Sequence, residues 1–162
     1  VLQLGQLIST VANGGRLIRP WIIREVRQPS GQVVERFGPK VERRVLTTEV
    51  AAQLKEILAG VVEEGSGKMA RIPGIRAGGK TGTAQKLEPG GGYSQTRYMA
   101  SFIGFVPVER PRLAIVVVMD EPRFPYYGGV VSAPVFKRVA IETLAYLQHR
   151  EGAFVTAKRD EN

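Results

Sequence analysis

Apolar residues recur at helical spacing in three segments of the chain. Residues 2–11 place leucine, isoleucine and valine on one face, and Asn13-Gly14-Gly15 ends that helix. A second helix is predicted over residues 50–61, after a threonine N-cap at position 47 or 48. A third is predicted after Ser132, which can cap it. One broad apolar side of this last helix comprises Val135, Phe136, Val139, Ile141, Leu144 and Leu147.

The remaining apolar runs have β character. "WIIREVRQPSGQVVERF" contains two β-rich runs around Pro29-Ser30-Gly31, which predicts a hairpin. Three further strands follow in "KTGTAQK", "YMASFIGFV" and "RLAIVVVMDE". About five residues join the last two, which is too short for a parallel crossover and predicts antiparallel pairing. Residues 113–119 are apolar at every position, which predicts a central strand.

These elements predict an α+β fold, with an antiparallel sheet flanked by helices. Residues 1–150 are expected to form one unit, and the mostly polar segment 151–162 a flexible tail. No apolar run approaches the length of a membrane span.

Composition removes several classes of function. The chain has no cysteine and one histidine, His149, so neither a disulfide nor a zinc centre is expected. The net charge is +8, but Lys and Arg are scattered and no aromatic stripe accompanies them, so nucleic acid is not a predicted partner. Asp120 and Glu121 lie next to each other on a predicted strand, where their side chains should point to opposite faces and pair with arginine rather than share a metal. No cofactor is predicted.

The stretch "GIRAGGKTGTAQ", residues 74–85, fits two unrelated motifs. It satisfies the phosphate-loop pattern G-x-x-x-x-G-K-[ST], and it contains the K-T-G element of penicillin-binding proteins and serine β-lactamases. A phosphate loop needs a buried strand before it and a helix after it. Arg71-Ile72-Pro73 is not such a strand, and Gly82, Pro89 and the glycines at 90–92 prevent a stable helix. The pattern therefore favours a strand at Lys80.

The second match extends over four blocks, of which the first contains the K-T-G element. "GGKTGTAQK", "ASFIGFVP", "VVVMDEP" and "YYGGVVSAPVF" occur in this order between positions 78 and 136. In these blocks and in their order the chain resembles class B penicillin-binding proteins, the monofunctional D,D-transpeptidases of peptidoglycan synthesis. "QLGQLISTVANGGRLIRP" is similar to the helix that precedes the hairpin in that family. The "YYGGVVSAPVF" block most resembles the division-specific type, with elongation-specific relatives as the alternative.

The resemblance implies a transpeptidase fold and acyl transfer. A serine would attack a D-alanyl-D-alanine stem peptide and release D-alanine, and β-lactams would mimic the peptide. Thr81 and Thr83 would grip its terminal carboxylate, and the Thr83 N–H would donate to the oxyanion. Lys80 would lie beneath the site and bond a serine of a second motif. Gly82 would let the nucleophile's helix approach the strand.

Three further residues are candidates for substrate binding. Tyr126 and Tyr127 can wall the substrate groove, as aromatic residues do at this place in similar enzymes, and core packing or turn support is an equal alternative for both. Gln85 can line the cleft, although an ordinary surface position on the strand is the simpler interpretation.

Two motifs of the resembled family are missing. No serine has lysine three positions later or asparagine two positions later, so Ser-x-x-Lys and Ser-x-Asn are both absent. The resemblance thus implies the C-terminal portion of a transpeptidase domain, an incomplete fold that is inactive without the N-terminal remainder of the protein. It also implies a location outside the cytoplasmic membrane, an N-terminal anchor, and other cell-wall synthesis or divisome proteins as partners. The alternatives are a non-catalytic interaction module and, more weakly, a nucleotide-binding protein.

Overall fold

The fold was derived from a computed structural model that describes residues 1–159, with side chains through residue 150. Four α-helices lie in this range: α1 (Leu2–Ala12), α2 (Thr48–Glu63), α3 (Gly128–Val131) and α4 (Ala133–Arg159). Seven strands accompany them: β1 (Arg16–Arg19), β2 (Glu25–Arg27), β3 (Val33–Arg36), β4 (Lys40–Arg44), β5 (Gly78–Leu87), β6 (Tyr93–Val106) and β7 (Leu113–Asp120). None of the described helices combines the length and apolar character needed to span a membrane.

The main sheet is an antiparallel meander in the order β5-β6-β7. Its register places Thr81 opposite Phe102 and Phe102 opposite Val117. The predicted α+β class and the antiparallel link between the last two strands are confirmed. Among the described residues β6 is the middle strand and β7 has a strand neighbour on one side only, so the central position predicted for residues 113–119 is not found there. Helices α1 and α4 both pack on β7, and most of its residues are half-buried.

Two apolar cores lie on opposite faces of this sheet. On one face, Phe102 of β6 packs against Phe136 of α4, with ring centroids 4.8 Å apart. On the other, Phe105 of β6 packs with Ile8 of α1 and Ala59 of α2. Alternate β6 residues thus serve alternate cores, as the two-residue period of a strand requires. The sheet is held between helices.

The last helix buries a narrower face than its sequence predicts. Its fully buried residues are Ala133, Phe136 and Ala140, whereas Val139 and Ile141 are each 40% exposed. The predicted Ser132 cap is also wrong, because its Oγ has no hydrogen-bond partner among the described residues. Since α3 ends directly before it, Ser132 instead joins two helices through its backbone: its N–H donates to Gly128 and its carbonyl accepts from Phe136. The N-cap predicted at position 47 is confirmed, because the Thr47 Oγ1 accepts a hydrogen bond from the Val50 N–H at 3.3 Å.

Helix α4 continues to Arg159, through most of the segment predicted to be a tail. The side chains of residues 151–162 and the whole of residues 160–162 lie outside the described part of the chain. The flexible tail therefore stays a prediction.

Residues 16–44 form a projection that we call the arm. The predicted hairpin is confirmed there as the β2–β3 pair. The sequence did not predict that β1 and β4 form a second, separate antiparallel pair. The arm reaches the body through β1, which packs on α1.

The end of β7 departs from the expected alternation of side chains. Asp120 and Glu121 were predicted to point apart, yet both carboxylates contact the Lys86 Nζ, at 2.8 and 2.7 Å. The reason is local: the strand ends at Asp120, and Glu121 has a φ of 48°, which breaks the two-residue period. The pKa of Lys86 is raised mainly by its hydrogen bond to Asp120 and next by its hydrogen bond to Glu121.

A single arginine ties α2 to the link between β6 and β7. The Arg76 guanidinium contacts Glu56 and Glu63 of α2 at 2.8 Å each, and Glu109 of the link at 3.0 Å. The hydrogen bonds that Arg76 donates to these three carboxylates raise its pKa, so it carries its charge at any working pH.

Replacing Arg76 with methionine is expected to lower the melting temperature, because three carboxylates lose their shared cation while the aliphatic stem is kept. The effect should shrink in high salt, since these groups are exposed and screened. Arg138→Met is the control, because the one carboxylate that Arg138 pairs with among the described side chains is Glu142 of the same helix. Thermal unfolding at low and high salt gives the melting temperature of both variants. Equal melting temperatures for the two would contradict the stabilising link that Arg76 makes between α2 and Glu109.

Candidate functional site

Strand β5 presents the K-T-G residues in an extended conformation. Residues 80–83 lie within Gly78–Leu87 and pair with β6 throughout. The backbone does not turn around an anion, and no helix follows this strand, so the geometry of a phosphate loop is absent. Alternation then separates the side chains: Thr81 and Thr83 line one cavity, and Lys80 lines another.

The cavity at the threonines has a volume of about 370 Å³. It is bordered by the turn after α2, the 3₁₀ turn at Lys68–Ala70, and the start of α3. Its lining residues are Ser66, Lys68, Met69, Thr81, Thr83, Tyr127, Gly128, Gly129 and Val130.

Both threonine hydroxyls are held by hydrogen bonds. The Thr81 Oγ1 lies 2.8 Å from the Ser66 Oγ, and the Thr83 Oγ1 accepts from the Gly128 N–H at 3.2 Å. Ser66 is a site residue that sequence reasoning missed. Its only signal was its place between Gly65 and Gly67 after the second helix, a pattern that also fits a plain helix end.

Two glycines bring α3 close enough to complete the cavity. A Cβ on Gly128 would collide with the carbonyl oxygens of Ser101 and Gly82 and lie 3.0 Å from the Ser101 N. A Cβ on Gly129 would collide with the Ser66 carbonyl oxygen. These are backbone atoms, which cannot rotate away. Glycine is thus required where α3 meets the two strands and the end of α2.

Lys80 faces the opposite side of β5. Its Nζ donates to the Thr81 carbonyl oxygen at 3.1 Å. It borders an apolar cavity of about 510 Å³ between α1, α2 and the sheet, whose other lining residues include Leu7, Ile8, Val11, Leu54, Leu58 and Ile103. Gly82 lies on the same face of β5 as Lys80. It is opposite Ser101 on β6, and the Ser101 Oγ occupies the space that a Gly82 side chain would need.

The tyrosines divide into one that lines the cavity and one that supports it. Tyr127 lines the cavity and is 52% exposed. Tyr126 stacks on Tyr98 with ring centroids 4.0 Å apart and contacts the Tyr127 ring at 4.8 Å. Gln85 lies opposite Tyr98 on β6. Neither Tyr126 nor Gln85 is among the residues that line the cavity.

Tyr126 should titrate later than an ordinary tyrosine. Its pKa is raised from 10.0 to about 12, mainly by hydrogen bonding with Tyr127 and next by hydrogen bonding with Tyr98. The folded state then holds this proton more tightly than the unfolded chain does. The stabilisation from Tyr126 is therefore fully present below pH 10.0 and is lost as the pH rises through about 12.

Ultraviolet titration should show a tyrosinate that forms well above pH 10.0, and Tyr126→Phe should remove that late phase. Tyr146→Phe, a change at an exposed position on α4, should leave it in place. A late phase that survives in the Tyr126 variant would contradict the assignment.

Comparison with known proteins places the chain among relatives of one kind. Residues 1–140 match the family model described as the penicillin binding protein transpeptidase domain. The stage V sporulation protein D of Bacillus subtilis is 37% identical over 148 residues, which cover 90% of this chain and 23% of that protein. A probable peptidoglycan D,D-transpeptidase, PbpC, of Pseudomonas aeruginosa is 35% identical and covers 90% of this chain and 24% of that protein. The chain thus spans about a quarter of the length of these relatives.

Solved structures agree in fold. Penicillin-binding protein 3 of Mycobacterium tuberculosis, complexed with ampicillin, superposes with a TM-score of 0.80 at 32% identity, over 93% of this chain and 34% of that one. The sheet and the helices on its faces are therefore shared with a known domain. The chain belongs to the penicillin-binding protein transpeptidase family.

Proposed function

We propose that this chain is the substrate-gripping part of a serine-type peptidoglycan D,D-transpeptidase. The full protein would cross-link stem peptides that end in D-alanyl-D-alanine and would be acylated by β-lactams. The observation that carries the proposal is the pair of threonine hydroxyls, Thr81 and Thr83, on one face of an extended strand and in one cavity with Ser66.

A count of hydroxyl protons supports a carboxylate as the ligand. Ser66 and Thr81 share one hydrogen bond, which uses one of their two protons and leaves the other free. The Thr83 oxygen accepts from the Gly128 N–H, so its own proton is free as well. Two free protons in one cavity match the two oxygens of a carboxylate. Lys68, which also lines the cavity, adds a positive charge.

The backbone of β5 supplies a second kind of donor. Because β5 lies at an edge of the sheet, the amide groups on its outer side have no strand partner among the described residues. We assign the Thr83 N–H to the oxyanion of the tetrahedral intermediate. In other enzymes the loss of one such donor costs about 2.7 to 4 kcal/mol of transition-state stabilisation.

The remaining roles follow the two faces of the strand. We assign Lys80 to the face away from the threonines, where it adds positive potential and bonds a serine of a second motif. Gly82 lies on that face beside the Ser101 Oγ, and its lack of a side chain would let the nucleophile's helix approach the strand. Tyr127 forms a wall of the substrate groove and Tyr126 holds Tyr127 by ring contact. Gln85, further along the strand, would contact the substrate only beyond the cavity.

The nucleophile must come from another part of the polypeptide, since this chain has neither Ser-x-x-Lys nor Ser-x-Asn. We propose that residues 1–150 are the C-terminal portion of the transpeptidase domain. The protein would act on the extracytoplasmic side of the membrane, held by an N-terminal anchor. Its "YYGGVVSAPVF" block favours a division-specific role with divisome partners.

Labelled penicillin tests this proposal. The full-length protein should be acylated at a serine outside residues 1–162, whereas the isolated chain should not be labelled. Labelling of the isolated chain would contradict the assignment of the nucleophile, and an unlabelled but folded full-length protein would favour a non-catalytic interaction module. Tight binding of magnesium-ATP would revive the nucleotide-binding alternative.

A further inference from the structure

The arm, residues 16–44, carries most of the chain's excess charge. It contains eight Lys and Arg against three Glu, a net charge of +5, while the whole chain has +8. Two of the three carboxylates are already paired, Glu25 with Arg27 and Arg36, and Glu42 with Arg19. Among the described residues, Arg16, Arg24, Lys40 and Arg43 form no ion pair with a carboxylate. The arm thus presents unneutralised cations.

The same segment exposes large apolar side chains. Ile22 is fully exposed, and Trp21 and Ile23 are 46% and 58% exposed. Val26, Val34 and Val41 of the strands are also exposed, as is Phe37, which follows β3. Isolated apolar residues are normal on a surface, but this many on one projection indicate an interaction site.

The arm is anchored at one end only. Strand β1 packs on α1, and the Arg44 guanidinium donates to the Gly14 carbonyl oxygen at 2.6 Å and to the Leu46 carbonyl oxygen at 3.2 Å. Farther out, β2 and β3 pack chiefly on each other, and the outer edge of each has no strand partner among the described residues. Both flanks of this distal part are therefore open to a partner.

The distribution of apolar residues distinguishes two kinds of partner. Residues that insert into a bilayer lie at the leading end of a projection. Here the leading end is the turn Gln28–Gln32, which is polar, whereas Trp21, Ile22 and Ile23 lie beside the joint between the two strand pairs. A partner that lies along the flank fits this arrangement better than a membrane does. Tryptophan and arginine are also the residues most enriched at the centres of protein interfaces.

We propose that the arm is a docking surface for an acidic segment of another protein. Carboxylates of the partner would pair with Arg16, Arg24, Lys40 and Arg43, and its apolar side chains would cover Trp21, Ile22 and Ile23. The arm lies outside the cavity at Thr81 and Thr83, so this interaction is independent of the acylation chemistry.

The test begins with a photo-crosslinking amino acid at Ile22 of the full-length protein in its own cells. The control position is Tyr146, an exposed site on α4. We expect a crosslink at position 22, and not at 146, that mass spectrometry maps to an acidic segment of a second protein. That protein is then purified, and its binding is measured at low and high salt.

Charge reversal makes the result specific. The triple variant Arg24→Glu, Lys40→Glu and Arg43→Glu should weaken binding at least tenfold, and the salt dependence should fall with it. The variant Lys137→Glu with Arg138→Glu, which reverses two charges on α4, should bind normally. Labelling by penicillin should be unchanged in both variants, which shows that they are folded.

Four results would overturn the proposal. Position 22 could crosslink to lipid, and the wild-type protein could sediment with vesicles of anionic phospholipid while the triple variant does not. It could crosslink within its own polypeptide. It could capture a partner whose binding ignores the charge reversal. It could give no crosslink above the level at position 146.

Discussion

Thr83→Val should slow acylation of the full-length protein by labelled penicillin by roughly 10- to 150-fold. Valine keeps the shape of threonine but removes the hydroxyl proton that we assign to the ligand's carboxylate. A hydrogen bond to a charged group contributes about 1.5–3 kcal/mol, which converts to this range of rates. The variant also leaves the Gly128 N–H without its acceptor, so acylation should be measured well below the melting temperature.

Two matched variants isolate the role of the hydroxyl. Thr83→Ser keeps the hydroxyl and should retain most of the rate. Thr96→Val removes an exposed hydroxyl from β6, outside the cavity, and should have no effect. Wild-type acylation of Thr83→Val would show that this hydroxyl does not hold the ligand.

Gly128→Ala should have the largest effect on stability, because the added methyl group meets backbone atoms of both β5 and β6. Overpacking typically costs about 1–3 kcal/mol, and rigid neighbours place this position at the upper end. Relief of the collision would move α3 away from the sheet and break the hydrogen bond to Thr83. Acylation should therefore fall together with the free energy of unfolding.

Gly60→Ala is the matched control for this substitution. Gly60 lies inside α2, and a Cβ there meets nothing within 4 Å. Alanine at a helix interior should stabilise the protein by about 0.5–1 kcal/mol and leave acylation unchanged. Urea unfolding of both variants measures the difference, and two glycines that tolerate alanine equally would contradict the close approach of α3.

The sequence predicted the backbone of the site because local rules decided it. Glycines and Pro89 after the K-T-G residues prevent a helix, which leaves Lys80 on a strand, and the two-residue period then separates Lys80 from Thr81 and Thr83. The short link before β7 fixed the antiparallel order in the same way. These features depend on neighbours in sequence, so they could be read from it.

Features that depend on tertiary contacts could not be read in this way. Ser66 reaches Thr81 only because the end of α2 meets β5 under Gly129, and those residues are 15 or more positions apart. Asp120 and Glu121 converge on Lys86 because one residue adopts a positive φ, which no period predicts. The position of β7 at the end of the described sheet was not predicted, because helices that pack on both faces favour an apolar run just as a second strand neighbour does.

The most direct measurement is a crystal structure of the full-length protein acylated by a penicillin. We expect an extended backbone at residues 80–83, with the carboxylate of the penicilloyl group within hydrogen-bond distance of the Thr83 hydroxyl and of the Ser66–Thr81 pair. A carboxylate bound elsewhere, with these hydroxyls still facing solvent, would contradict it.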